Sequence, residues 1–227
     1  MNKKSYLYLI WKNPVNKRNY EVGKLTRADG YKFEYWNEYE QALADGWKLI
    51  QAFPEVKEYY SKELFPVFSS RLPDKKRRDI ETVLKKYGLE EYDGYELLRK
   101  SGGRLPIDTY EFIDPIFPED ITVQREFYVV GIRHKSGCEG KTCITKNELV
   151  LNMDLILSLE PENQYDSNAV LVETPKGTPL GYVPRYYSES VAFRIKKHMT
   201  YECSVIEINE EMDCQNCAKV KLVMPRE

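Results

Sequence analysis

The 26 residues from Glu160 to Arg185, EPENQYDSNAVLVETPKGTPLGYVPR, constrain this chain more than any other stretch. They join a polar cluster, a short apolar run, a Gly turn and a second short apolar run. The cluster is Asn163, Tyr165, Asp166 and Asn168. Asn and Asp favour turns because their side chains bond nearby backbone groups and tolerate unusual dihedrals. Val170, Leu171 and Val172 then have the character of a strand, Lys176-Gly177 that of a hairpin tip, and Leu180 to Val183 that of the returning strand.

The flanks extend this pattern. Glu126 to Lys135 is expected as a strand, with Val130, Ile132 and His134 on one face and Val129, Gly131 and Arg133 on the other. Leu149, Leu151, Met153, Leu155, Leu157 and Leu159 alternate with Asn152, Asp154, Ser158 and Glu160, the period of a strand or bent strand pair with one buried face. Val191, Ala192, Ile195 and Met199 form a helical stripe, and Cys203 to Ile208 and Lys219 to Met224 are the last two strands. The sum is a small β-barrel or curled sheet with one helix.

Upstream, Tyr6 to Trp11, Tyr20 to Thr26 and Tyr31 to Tyr35 form a three-stranded meander, the last pair joined by the Asp29-Gly30 turn. In the second strand simple alternation sets Tyr20, Val22 and Lys24 against Glu21, Gly23 and Leu25. Asn37 to Asp45 has helical composition, and Lys57 to Ser70 has a helix-like spacing interrupted by Pro66. A third helical segment, capped by Asp74, carries Ile80, Val83, Leu84 and Tyr87 on one face. A fourth runs from Tyr92 to Lys100 and ends at Ser101-Gly102-Gly103, after which Ile107 to Ile113 returns as a strand. Asp114 to Thr122, DPIFPEDIT, reads as a linker. The expectation is an α+β chain of two domains, residues 1–115 and 123–227.

Charge narrows the function. The net charge is −2, and residues 1–118 hold 21 Lys and Arg against 19 Asp and Glu, leaving 13 against 17 in the rest. That excludes a broad basic surface of the kind non-specific DNA binders use. Any nucleic-acid contact must be local. The 18 tyrosines can pack with a polar edge or stack on bases. Five cysteines, no export signal and no membrane-length apolar run lead to the expectation of a cytoplasmic protein with no membrane association.

The motif N-x-Y-D-x-N-A-V followed by G-Y-V resembles that of the HIRAN domain, and the likeness runs from Phe127 to Met224. The resemblance implies a domain that grips single-stranded DNA (3′) ends. Carried over residue by residue, it implies that Arg133 contacts the strand, with His134 standing where a tyrosine is found. Asn163, Tyr165 and Asp166 would hold the terminal nucleotide and its 3′ hydroxyl. Asn168 completes the motif, and Tyr182 takes the place of a histidine. Gln164 stands where the family has proline, and the final hairpin, Asp213 to Cys217, lacks the family's aromatic. The bland alternative is that these residues only cap and pack a turn.

The N-terminal part resembles the first subdomain of HipA-type toxin kinases, through VGKLT (Val22 to Thr26), YKFEY (Tyr31 to Tyr35), LFPVFSSRLPD (Leu64 to Asp74) and YELL (Tyr95 to Leu98) before Gly102. The kinase core that normally follows is absent. The resemblance implies a module that binds a protein partner, such as a HipA-type kinase, in a toxin–antitoxin or defence setting.

Enzymatic signals are poor: there is no Walker loop, no kinase catalytic loop, and His134 and His198 are the two histidines. No catalysis and no cofactor are expected. Cys138, Cys143, Cys214 and Cys217 are a candidate zinc set from two loops, although the first pair is spaced x4 rather than x2, so free thiols are the preferred reading. Lys75-Lys76-Arg77-Arg78 is the strongest basic run and reads as a solvated face. Two functions are therefore carried forward. One is a non-catalytic binder of single-stranded DNA ends with a partner-binding module. The other is a protein-interaction or antitoxin-like module without nucleic acid.

Overall fold

The structure, a computed structural model, describes residues 5–118, 120–135, 148–209 and 216–225. It divides into two compact units, Met1–Pro115 and Ile116–Glu227.

In the first unit β1 (Ser5–Lys12), β2 (Asn19–Arg27), β3 (Tyr31–Tyr35), β4 (Tyr59–Ser61) and β5 (Tyr110–Ile113) form one antiparallel sheet in the order β4-β3-β2-β1-β5. The expected meander is its centre. One detail of β2 departs from simple alternation. Leu9 pairs with Gly23 but Ile10 pairs with Glu21, so Val22 is the extra residue of a bulge. The bulge resets the faces, and Tyr20, Val22 and Leu25 are all buried. Lys24 instead lies over the rings of Tyr6 and Trp36, at 4.4 and 3.9 Å. Gly23 is required here, because a Cβ would sit 2.6 Å from the Phe33 ring.

Aromatic rings fill the core of this unit. Phe33 stacks on Phe53 at 4.3 Å, and Phe53 meets Phe65 and Phe68 meets Phe112 edge to face at 5.1 and 5.0 Å. Each such pair adds about 0.5–1.5 kcal/mol beyond the area it buries. The helix expected over Asn37 to Asp45 forms as α1 (Tyr39–Ala44), and the interrupted helical spacing of Lys57 to Ser70 becomes β4 and a single turn, α2 (Pro66–Ser69). Pro66 lacks an amide hydrogen, which breaks a helix interior but suits a first turn. Asp74 is not the cap of the next helix. Its side chain accepts from the amide of Lys76, and α3 (Ile80–Lys86) starts after Asp79. A cap forms instead at α4 (Gly94–Ser101), where Asp93 accepts from the amides of Tyr95 and Glu96, and Gly102 ends the helix at φ 72°.

The second unit opens inside the segment expected as a linker. Ile116 is buried, and its carbonyl accepts from Ser190. The carbonyls of Phe117 and Asp120 accept from the buried guanidinium of Arg194 at 3.0 and 2.9 Å. Two three-stranded antiparallel sheets follow. One is ordered β10 (Glu202–Ile208), β11 (Ala218–Met224), β6 (Val123–Tyr128), and the other β7 (Ile156–Leu159), β8 (Val170–Glu173), β9 (Pro179–Tyr182). They join at both ends. Asn152 and Leu155 donate to the carbonyls of Val205 and Cys203, and at the opposite seam Val130 and Tyr182 exchange bonds of 3.0 and 2.7 Å. The strands thus close into the small barrel expected, with the helix α6 (Arg185–Lys196) beside it.

Two strand expectations fail locally. β6 ends at Tyr128, and Gly131, at φ 73°, turns the chain into the helical turn α5 (Ile132–Lys135). Ile132 is buried while Arg133 and His134 are exposed, so neither of the latter lies on a strand. Leu151 is exposed because Asn152, at φ 63°, breaks the alternation, which resumes with buried Leu155 and Leu157.

The Val130–Tyr182 seam depends on Gly181, where a Cβ would lie 2.4 Å from the Val130 carbonyl oxygen. Backbone cannot give way as a side chain can. Gly181→Ala should cost about 1–3 kcal/mol of stability. It should also raise amide hydrogen exchange at Tyr182, whose N–H donates to Val130. Wild-type exchange at that amide in the variant would contradict the seam's role.

Candidate nucleic-acid interface

The polar cluster forms a turn braced by its own side chains. Asn163 Oδ1 accepts from the amides of Tyr165 and Asp166 at 3.0 and 3.2 Å. Asp166 Oδ1 accepts from the amide of Asn168 at 2.9 Å, and Asp166 Oδ2 lies 2.6 Å from the hydroxyl of buried Ser188 on α6. Asn168 Oδ1 receives the Lys196 ammonium at 3.5 Å. These are the local side-chain-to-backbone bonds that Asn and Asp are expected to make in turns. Tyr165 does the opposite of packing: 87% of it is exposed.

A carboxylate that composition did not single out ties this turn to two other segments. Glu160, just after β7, accepts from Lys135 at 2.8 Å on one oxygen, and from Asn163 Nδ2 and the Tyr182 hydroxyl, both at 2.6 Å, on the other. Lys135 ends α5, and its ammonium lies 5.3 Å from the Tyr182 ring centre. The Lys135 ammonium, then the Tyr182 and Asn163 donors, hold the Glu160 carboxyl down to a pKa of about 2. The same bond to Glu160 pushes the Lys135 pKa up, and burial followed by Glu160 raises that of the Tyr182 hydroxyl.

Gly131 permits this convergence. Its positive φ turns α5 back over β9, where a Cβ would lie 3.2 Å from the Tyr182 ring. Asn163, Asp166, Asn168 and Tyr182 are thus joined directly or through Glu160. Arg133 and His134 stand on the helical turn that ends in Lys135, their side chains exposed and with no hydrogen bond or ion pair among the described residues. Glu160, Lys135 and Ser188 are the members that sequence reasoning missed. The first two were visible as the acidic opening of EPENQYD and the basic end of GIRHK. Ser188, in a helix, gave no signal.

Of the candidate zinc set, Cys138, Cys143 and Cys214 lie outside the described residues, and Cys217 is buried. Among the described residues no group of three or more His, Cys, Asp or Glu is placed to hold a metal ion, and no helix is long and apolar enough to cross a membrane.

Comparison with known proteins agrees with both resemblances. Residues 124–224 match the family model of the HIRAN domain, and residues 14–106 that of the HipA N-terminal domain. The chain therefore carries a HipA N-terminal domain followed by a HIRAN domain. No curated protein matches it. Among solved structures, a Lactobacillus plantarum protein determined by structural genomics is 25% identical, with a TM-score of 0.38, over 45% of this chain and 94% of that one. The HIRAN domain of human HLTF is 21% identical, with a TM-score of 0.34, over 47% of this chain and 81% of that one.

The depressed Glu160 pKa has a definite sign. A carboxyl whose folded pKa lies below its unfolded value contributes stability above the unfolded pKa and loses it as pH falls through the folded one. The advantage of wild type over Glu160→Gln should therefore be constant above about pH 4.5 and vanish towards about pH 2. Urea unfolding of both proteins across that range checks it. The advantage should be modest, because the ion pair is partly solvated.

Proposed function

We propose that the C-terminal domain binds the 3′ end of single-stranded DNA and that the N-terminal domain engages a protein partner, so that the chain is a non-catalytic regulator or sensor. The HIRAN domain over residues 124–224 is the ground for a nucleic-acid ligand. The observation that carries the reading is Tyr165, a large aromatic 87% exposed on a turn fixed by Asn163, Asp166 and Ser188. A ring presented to water from a turn whose backbone is already bonded in place is a stacking platform that leaves only its own side chain to order on binding.

The other residues take roles by their chemistry. Exposed Arg133 and His134 would meet phosphates near the end. Asp166 retains lone pairs for a free 3′ hydroxyl and would repel a terminal phosphate as like charge. Asn163, Asn168 and Tyr182 hold the frame and present amide and ring edges to the last nucleotide. The HipA N-terminal domain over residues 14–106 supports a protein partner, and the chemistry of that family makes a HipA-type kinase the first to try. The setting would be toxin–antitoxin control or defence, in the cytoplasm.

A second reading, a protein-interaction module without nucleic acid, is favoured by the two carboxylates, Glu160 and Asp166, set within the candidate site. Fluorescence anisotropy with oligonucleotides ending in a 3′ hydroxyl or a 3′ phosphate separates the two. End recognition requires tighter binding of the free hydroxyl. Tyr165→Ala should cost about 1–3 kcal/mol of binding with an unchanged unfolding midpoint, and Asp166→Ala should erase the preference between ends. Equal binding of both ends sinks end recognition, and no binding of either leaves the interaction module.

A further inference from the structure

The last turn of α5 sets three basic residues in succession, Arg133, His134 and Lys135, at the edge of the candidate site. The side chains of Arg133 and His134 are exposed with no described partner, whereas that of Lys135 is bonded to Glu160 at 2.8 Å. The pair is not a loose surface contact. The second Glu160 oxygen is fixed by Asn163 and Tyr182, both at 2.6 Å, and Asn163 is itself fixed by the amides of Tyr165 and Asp166. The carboxylate is therefore held in place before any ligand arrives, and it faces the ammonium as a phosphate oxygen would.

We infer that Glu160 determines specificity at this site by occupying Lys135 as an internal stand-in for phosphate, so that a strand is held by its end rather than by the charge of its backbone. The inference rests on the nucleic-acid reading given above. A single strand running through a basic groove gains affinity from each phosphate neutralised, whatever its sequence or ends. Removing one cation from that sum lowers the affinity of internal segments and of phosphorylated ends. Contacts of Tyr165 and Asp166 with a free terminus are untouched. Glu160 is thus a positioning residue that acts through Lys135 and Asn163.

The test compares full-length wild type, Glu160→Gln, Lys135→Met and the double variant. The probes are a 3′-hydroxyl oligonucleotide, a 3′-phosphate oligonucleotide and a circular single strand, titrated across salt. The Glu160→Gln change keeps an acceptor for Asn163 and Tyr182 but releases Lys135. Glu160→Gln should bind the circular and 3′-phosphate strands more tightly and narrow the preference for a free hydroxyl. Its plot of log affinity against log salt should steepen by about 0.7, which is roughly two- to threefold in affinity between about 50 and about 200 mM salt. The double variant should return to the wild-type slope, since the Lys135 charge is already spent in wild type, whereas Lys135→Met alone leaves the Glu160 carboxylate unpaired and should bind no strand more tightly than wild type does.

A flatter slope in the double variant than in wild type would show that Lys135 already meets phosphate and would overturn the inference. So would a Glu160→Gln protein that binds all strands more weakly at an unchanged slope, the result of a merely structural role. If folded wild type binds none of the strands, the nucleic-acid reading falls and takes the inference with it. If wild type prefers the free hydroxyl and the variant slopes coincide, the inference falls alone.

Discussion

Everything at the C-terminal site depends on how closely two backbones approach each other at the barrel seam. Val130 and Tyr182 exchange both of their main-chain bonds, and this is possible because Gly181 presents no Cβ to the Val130 carbonyl. Directly after Val130 the chain turns at Gly131 and makes the one helical turn that ends in Lys135. The seam therefore fixes the distance from Lys135 to β9 and to Glu160. Loosening it would separate the basic turn from the braced turn.

Glu160 converts that proximity into order. A lone carboxylate near the surface would fluctuate with its lysine and contribute little. Here three donors from three segments fix one carboxylate, and each added bond asks for less further ordering of the group. The same bonds orient the Asn163 amide, whose oxygen then holds the backbone of Tyr165 and Asp166. The chain of restraint runs from the barrel seam, through a salt bridge, to the one large aromatic that the site leaves in water.

Much of this was legible in the sequence where local chemistry decides the outcome. The Asn and Asp of the cluster, the Gly177 turn and the paired runs around Val170 and Leu180 behave as their residue types dictate. So do the meander of β1 to β3 and the glycine stop of α4. Failures came where one residue overrides a pattern. Gly131 ends a strand that alternation would continue through Arg133 and His134, and Asn152 does the same to the run from Leu149. The bulge at Val22 moves Leu25 into the core, and periodicity has no means of counting an extra residue. At the site, turn chemistry located Asn163, Asp166 and Asn168. Glu160, Lys135 and Ser188 were missed because the contacts Lys135–Glu160, Tyr182–Glu160 and Ser188–Asp166 each join residues 22 or more apart, and contact between distant segments is a property of the closed barrel.

The mooring of the segment at 116–120 also bears on what counts as the second domain. The HIRAN family match begins at residue 124 and the first barrel strand at Val123. Arg194, buried on α6, spends its guanidinium on the carbonyls of Phe117 and Asp120. A fragment cut at the family boundary would keep nearly all of every strand and yet remove both of these carbonyl acceptors, hydrogen bonds to a charged donor that count for more than an ordinary surface contact. The second compact unit thus starts at Ile116, and Ile116, Phe117 and Asp120, which look like a tether in sequence, are bonded to the domain they precede.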